Sequence, residues 1–174
     1  MLFRSIGVDV LLLDIIPREL TEKENSKGLS FEDKVVRNRL VNEALSSSLK
    51  SKPSPIYHQK FANRITTGNL EDDIHKVANV DWIMEVVVER LDIKKLVFEK
   101  LEKFRTPGTL ITSNTSGIPI KFMSDGRSED FQKHFCGTHF FNPARYLKLF
   151  EIIPGPKTAS DVLDFLGSYG EIGR

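Results

Sequence analysis

Six short β-branched or apolar runs, separated by stretches of helical period, predict an α/β fold: a mainly parallel sheet flanked by helices. Two observations carry this expectation. Val8 to Leu13 and Trp82 to Val88 are apolar on both faces, as strands buried between two helix layers are. Strands also alternate with helical stretches along most of the chain, which implies crossover connections.

The first strand ends at Asp14, and Pro17 then restricts the backbone ahead of a helical stretch. Ser30 to Leu49 reads as a helix, with Ser30 as N-cap, Asp33 three residues on, and an apolar stripe of Phe31, Val35, Leu40, Ala44 and Leu45. Ser46 to Pro55, rich in Ser, Lys and Pro, reads as an exposed connection. Arg64 to Thr67 is a short strand closed by Gly68, and Leu70 to Val77 a short helix. Asp81 precedes the Trp82 to Val88 strand. Asp92 to Phe104 places Ile93, Leu96, Val97, Leu101 and Phe104 at helical spacing and stops at Pro107-Gly108. Thr109 to Ser113, Phe135 to Phe141 and Phe150 to Ile153 are the remaining strands, and Ser160 to Tyr169 the last helix.

The 174 residues carry 25 Lys+Arg against 24 Asp+Glu, a net charge of +1, with 40% hydrophobic and 28% charged residues. That length buries a sizeable core, and the composition excludes collagen-like and strongly disordered classes. Near-neutral charge argues against nucleic-acid or membrane-surface partners, which need a basic face. No apolar run approaches a bilayer span, and no signal peptide opens the chain. One cysteine, Cys136, excludes a disulfide framework and fits a reducing compartment. A cytoplasmic domain is the expectation.

Ligands of open parallel sheets bind beyond the carboxyl ends of the strands. Those ends carry Asp14, Glu89, Asn114-Thr115-Ser116, His139 and Asn142. Asp14 suits the ribose-binding acid of a dinucleotide fold or, equally, a turn carboxylate. Glu89 has the alternative of a solvated charge among Glu85, Arg90 and Asp92. Ser116 has that of capping the helix begun by Gly117-Ile118-Pro119. His139, with Glu151 twelve residues on at the start of the next strand, suits proton transfer, because a carboxylate on one ring nitrogen fixes the tautomer and stabilises the imidazolium. A packed core histidine beside an exposed Glu is the alternative. His58, His75 and His134 lack metal-ligand spacing and read as surface, and Cys136 reads as a packed thiol. No metal is expected. Lys34, Arg37 and Arg39 form a basic face that is either solvated or meets phosphates.

Ser113-Asn114-Thr115-Ser116, His139-Phe140-Phe141-Asn142-Pro143 and Glu151 together resemble the signature of L-3-hydroxyacyl-CoA dehydrogenases. Met84 to Glu89 with Lys94, Asp14 after its Leu-rich strand, and Ile65-Thr66-Thr67-Gly68 also fit, so the resemblance runs from about Ser5 to Tyr169 in the family's order. Gly117 and the segment around Pro53 look most like bacterial multifunctional members fused to an enoyl-CoA hydratase domain. The resemblance implies a Rossmann-like fold, NAD as cofactor, an acyl-CoA substrate of fatty-acid β-oxidation and a homo-oligomeric full-length protein. It implies His139 as general base, Glu151 as its orienting carboxylate, and Ser116 and Asn142 as hydrogen-bonding partners of the hydroxyl and nascent carbonyl. Asp14, Glu89, Lys94, Ser116 and Asn142 would face the cofactor. A short 3-hydroxybutyryl-CoA or CoA-free hydroxy acid as substrate, and a non-catalytic binding module, are the alternatives.

Against that family the chain lacks the first strand and the G-x-G-x-x-G turn that faces a pyrophosphate. Met1 to Gly7 correspond to the end of the helix after that turn, with Gly7 as its C-cap. Residues 1–174 are thus expected to form an incomplete NAD-binding domain without the family's C-terminal helical domain. Leu2 to Ser5 and Glu171 to Arg174 can be encoded by nearly reverse-complementary DNA, as a sequencing adapter read at both ends would be, so neither tetrapeptide is expected to be native.

Overall fold

The computed structural model describes residues 8–54, 59–141, 147 and 149–172. Met1–Gly7, with the expected C-cap Gly7, and His58 and Asn142 lie outside them. Two compact units form, Met1–Ile74 and His75–Arg174.

In the first unit β1 (Val10–Asp14) pairs in parallel with β2 (Ile65–Asn69), Val10 opposite Ile65 and Asp14 opposite Asn69. The crossover holds α1 (Glu22–Ser26), α2 (Lys34–Arg37), α3 (Arg39–Lys50) and a 3₁₀ turn over Gln59–Arg64. Thr21 and Glu24 close α1 with a reciprocal capping box, and Arg39 pairs with the same Glu24 at 2.9 Å. The single helix expected over Ser30 to Leu49 is broken at Asn38, and Asp33, not Ser30, is the N-cap of α2. The break shifts the helical phase: Val36 and Val41 are buried, while Phe31 and Val35 of the expected stripe are exposed. Its cause is polar. Asn38 is buried and its side-chain oxygen accepts from Asn69 Nδ2 at 2.8 Å.

Asn69 organises the end of β2. Its Oδ1 accepts the backbone N–H groups of Glu71 and Asp72, its own N–H donates to Asp73 Oδ2 at 3.0 Å, and its Nδ2 also donates to Asp72. Arg37 grips Asp72 through two hydrogen bonds of 2.6 and 2.7 Å. The guanidinium first, then Asn69, hold the Asp72 carboxyl at about 2. Arg37 and Arg39 are therefore spent on carboxylates, which corrects the basic face expected from Lys34, Arg37 and Arg39.

In the second unit a 3₁₀ turn ending at Asn79 precedes β3 (Trp82–Glu85), α4 (Leu91–Phe104), β4 (Leu110–Ser113), α5 (Ile120–Ser124), α6 (Glu129–Lys133), β5 (Phe135–Phe140), β6 (Phe150–Pro154) and α7 (Ser160–Ile172). The sheet order is β3-β4-β5-β6; the first three are parallel, and β6 runs antiparallel to β5. The architecture is the Rossmann-like α/β one, its sheets mostly parallel and flanked by helices. Among the described residues β1 pairs only with β2, and β3 only with β4. One sheet face packs Phe98 of α4 and Phe131 of α6 on Phe135. The other packs Leu110 and Cys136 on Val162 and Leu166 of α7, with Trp82, Phe150 and Ile152 at the margin. Burial pushes the Cys136 thiol up to about 12, as befits a packed side chain.

Three expectations change. β3 stops at Glu85, and Val86 and Val88 are exposed. The buried residues of α4 are Lys94, Phe98 and Leu101, whereas Leu96 and Phe104 are exposed. His134, expected at the surface, is half-buried with its Nδ1 2.8 Å from the Asp130 carbonyl oxygen. No helix among the described residues is long and apolar enough to cross a membrane.

A Cβ at Gly68 would stand 2.5 Å from Asp73 Oδ2 and 2.9 Å from Asp73 Cβ. Gly68→Ala must displace the carboxylate that takes the Asn69 N–H, and it is expected to lower unfolding free energy by about 1–3 kcal/mol, read from urea denaturation.

Candidate functional site

The antiparallel pairing of β5 and β6 sets His139 directly opposite Glu151. Directly opposed residues of such a pair project to the same face, so the two side chains meet. His139 Nδ1 lies 2.8 Å from Glu151 Oε2, and the imidazole packs edge-on against Phe141 with ring centroids 4.7 Å apart. The ring is 21% exposed and the carboxylate 45%. A proton on Nδ1 donates to Glu151, which leaves the Nε2 lone pair as the available base.

A second cluster joins the ends of β3 and β4. Glu85 closes β3 and accepts four hydrogen bonds from three donor groups: the Val87 N–H at 2.6 Å, the Ser113 hydroxyl at 2.5 Å, and Lys94 Nζ at 2.9 and 3.0 Å to its two oxygens. Acceptance of the Val87 N–H by the side chain turns the backbone, which is why β3 ends there. Lys94 projects from α4 and also pairs with Glu89 at 3.4 Å. Glu89 Oε1 in turn accepts the Thr115 hydroxyl at 2.5 Å and the backbone N–H groups of Ser116 and Gly117 at 3.1 and 2.9 Å. Burial opposes the Glu89 charge, but Thr115, the Gly117 N–H, Lys94 and the Ser116 N–H outweigh it and hold the carboxyl at about 2.

The sequence-predicted residues separate accordingly. His139 and Glu151 meet as one pair; Glu89, Lys94 and the backbone of Ser116 meet in the other cluster. Ser116 does not cap a helix, since α5 starts after Pro119, and it sits exposed on the turn that Glu89 holds. Glu89 does not end a strand but lies in the loop after β3. Lys94, expected beside the cofactor, has a side chain 1% exposed with its ammonium given to Glu85 and Glu89. Asp14 belongs to the first unit, at the carboxyl end of β1, where its Oδ1 accepts the Ile15 N–H at 2.7 Å. Asn142 lies outside the described residues. Sequence reasoning missed Glu85 and Thr115, both buried. The available signal was an acid directly ending the apolar run Trp82-Ile83-Met84. Asn114 was read only as a strand end; its Oδ1 accepts the Phe140 N–H at 3.1 Å and ties β4 to β5.

No three-residue metal-ligand group occurs among the described residues. A dinucleotide fits better. Asp14 ends a parallel strand as a ribose acceptor would, and Glu89 keeps a side chain 41% exposed. Each unit has a parallel strand ending in an acid, Asp14 on β1 and Glu85 on β3, and the second unit also holds the carboxylate-braced His139; these are features of an α/β domain of the dinucleotide-binding class. Residues 1–172 match the family model described as 3-hydroxyacyl-CoA dehydrogenase, NAD binding domain, and the chain belongs to that family. NAD is the cofactor of that domain family.

The chain is 52% identical over 167 residues to a probable 3-hydroxyacyl-CoA dehydrogenase of Bacillus subtilis, covering 96% of this chain and 21% of that protein. It is 41% identical to a probable 3-hydroxyacyl-CoA dehydrogenase of Deinococcus radiodurans, covering 96% and 44%. The crystal structure of 3-hydroxybutyryl-CoA dehydrogenase from Escherichia coli superposes with a TM-score of 0.69 at 27% identity, covering 99% of this chain and 33% of that one. The chain thus spans less than half the length of these relatives.

Glu89 titrates near 2 in the fold and near about 4.3 when unfolded. A depressed carboxyl stabilises the folded state above the unfolded value and loses that contribution as pH falls towards the folded one. Glu89→Gln is therefore expected to lower the urea midpoint at neutral pH, and the gap to the unmodified chain should shrink from about pH 5 to pH 2. A gap independent of pH refutes the ionic role of Glu89.

Proposed function

We propose that this domain serves an enzyme oxidising an L-3-hydroxyacyl-CoA to the 3-ketoacyl-CoA in fatty-acid β-oxidation. The 2.8 Å contact between His139 Nδ1 and Glu151 Oε2 carries this reading, because it leaves Nε2 poised as a general base with its conjugate acid stabilised. When bound, NAD supplies the acceptor for the hydride from C3. His139 Nε2 takes the 3-hydroxyl proton as the carbonyl forms, and Glu151 compensates the imidazolium charge. The Ser116 hydroxyl, held on the Glu89-braced turn, and Asn142 orient the hydroxyl and the nascent carbonyl. Asp14 accepts from the adenosine ribose, and the exposed side of Glu89 faces the cofactor. The family assignment and the names of the relatives support the substrate class.

The test is NADH formation from a 3-hydroxyacyl-CoA by the intact enzyme. His139→Ala and Glu151→Ala are each expected to lower kcat by about 10²–10⁴, and unmodified rates in both would defeat the assignment. The 174 residues contain no G-x-G-x-x-G turn to offer backbone N–H groups to a pyrophosphate. Alone, they are expected to bind NAD poorly, and a submicromolar Kd by calorimetry would overturn that expectation.

A further inference from the structure

Two buried charges remain unused by the mechanism above. The side chains of Lys94 and Glu85 are each 1% exposed, at the point where β3, α4 and β4 meet. Withdrawing an ammonium and a carboxylate from water is costly, and such pairs persist only with their hydrogen-bonding capacity filled. Glu85 satisfies that condition with the four hydrogen bonds it accepts. Lys94 places its ammonium between Glu85 and Glu89, 3.5 Å from the Val87 carbonyl oxygen. One route of direct contacts therefore runs from Ser113 through Glu85, Lys94 and Glu89 to the N–H groups of Ser116 and Gly117. On the segment of Glu89 itself Arg90 and Asp92 are paired with each other at 2.6 Å, and the turn after β4 offers Glu89 only neutral donors.

We propose that Glu85 and Lys94 are positioning residues of the dinucleotide site and act on it through Glu89. Glu85 fixes Lys94, and Lys94 holds the Glu89 carboxylate ionised on the Ser116–Gly117 turn with its outer side towards the cofactor. The inference rests on the functional reading above for the place of Glu89 and Ser116. A residue that acts through Glu89 loses its effect on NAD once Glu89 is neutralised.

The experiment measures NAD affinity by calorimetry in the intact enzyme, separately from turnover, for Lys94→Met, Glu89→Gln and the two combined. Each single change is expected to weaken binding about tenfold, and the combination no more than about twofold beyond Glu89→Gln alone. Lys94→Met should also move the acid loss of NAD affinity to higher pH than in the unmodified enzyme, because Glu89 loses one of the groups that lower its pKa. Should Lys94→Met not fold, Glu85→Gln/Lys94→Met removes one charge of each sign and must show the same non-additivity with Glu89→Gln. Losses that multiply, an acid limb at the same pH as in the unmodified enzyme, or unchanged affinity in Lys94→Met overturn the proposal. Absence of 3-hydroxyacyl-CoA turnover in the unmodified enzyme overturns the functional reading instead, and the calorimetric cycle still decides the coupling.

Discussion

The buried pair of Lys94 and Glu85 is the fixed point of the His75–Arg174 unit. A hydrophobic pair of similar volume would avoid the desolvation cost, and removing one partner of such a pair typically costs about 3–5 kcal/mol. What the pair supplies is geometry. Glu85 saturates its carboxylate with donors from three places: the Val87 backbone, the Ser113 hydroxyl at the end of β4, and Lys94 of α4. The ends of two parallel strands and the start of the covering helix are thereby set relative to one another before any ligand is bound. A site assembled at strand ends needs that rigidity, because the loops there have no ladder partners of their own.

The same solution appears independently in the other unit. β2 ends at a buried Asn69 whose side-chain oxygen accepts the N–H groups of the turn that follows. β3 ends at a buried Glu85 whose side chain accepts the Val87 N–H. In both cases a polar side chain replaces the ladder partner that the strand has run out of, and satisfies donors that burial would leave orphaned. The surrounding charge differs. Asn69 recruits Asp72, which Arg37 neutralises at a half-exposed position; Glu85 recruits a buried ammonium and hands part of it to Glu89. Only the second network passes its charge to a turn carrying a candidate substrate-contacting residue.

The strands and most helices were legible in the sequence because double-sided apolar runs and helical spacing are strong signals; their ends were not. Trp82 to Val88 reads as one strand by composition, yet a side chain takes over the backbone bonding at Glu85 and turns Val86 and Val88 outwards. The helix over Ser30 to Leu49 fails at Asn38 for the same kind of reason, a tertiary hydrogen bond to Asn69 thirty-one residues away. His139 and Glu151 were legible as a pair, since strand order brings the end of β5 to the start of β6. Glu85 was not, because an acid in a run of Glu85, Glu89, Arg90 and Asp92 reads as a solvated charge until burial distinguishes it. Lys94 shows the converse: spacing alone cannot tell a lysine directed at a ligand from one directed at two carboxylates.

The candidate base depends on strand register more than on local chemistry. Side chains alternate with a period of two, so a slip of one residue between β5 and β6 would carry Glu151 to the face opposite His139. Two features hold the register from opposite sides of the sheet. On one face Phe140 stacks on Phe150, its cross-strand partner, with ring centroids 4.6 Å apart and planes 22° from parallel. On the other, Gly137 opposes Ile153, where a Cβ would stand 3.1 Å from Ile153 Cβ and 2.7 Å from Ile120 Cδ1. Larger residues at that position would press the strands and α5 apart. A slipped pairing would break the aromatic stack and set bulk against the missing side chain, so the packing that selects the register also selects the hydrogen bond. The antiparallel turn of the sheet at β6, the one departure from parallel order among the described strands, is thus what gives the histidine its carboxylate.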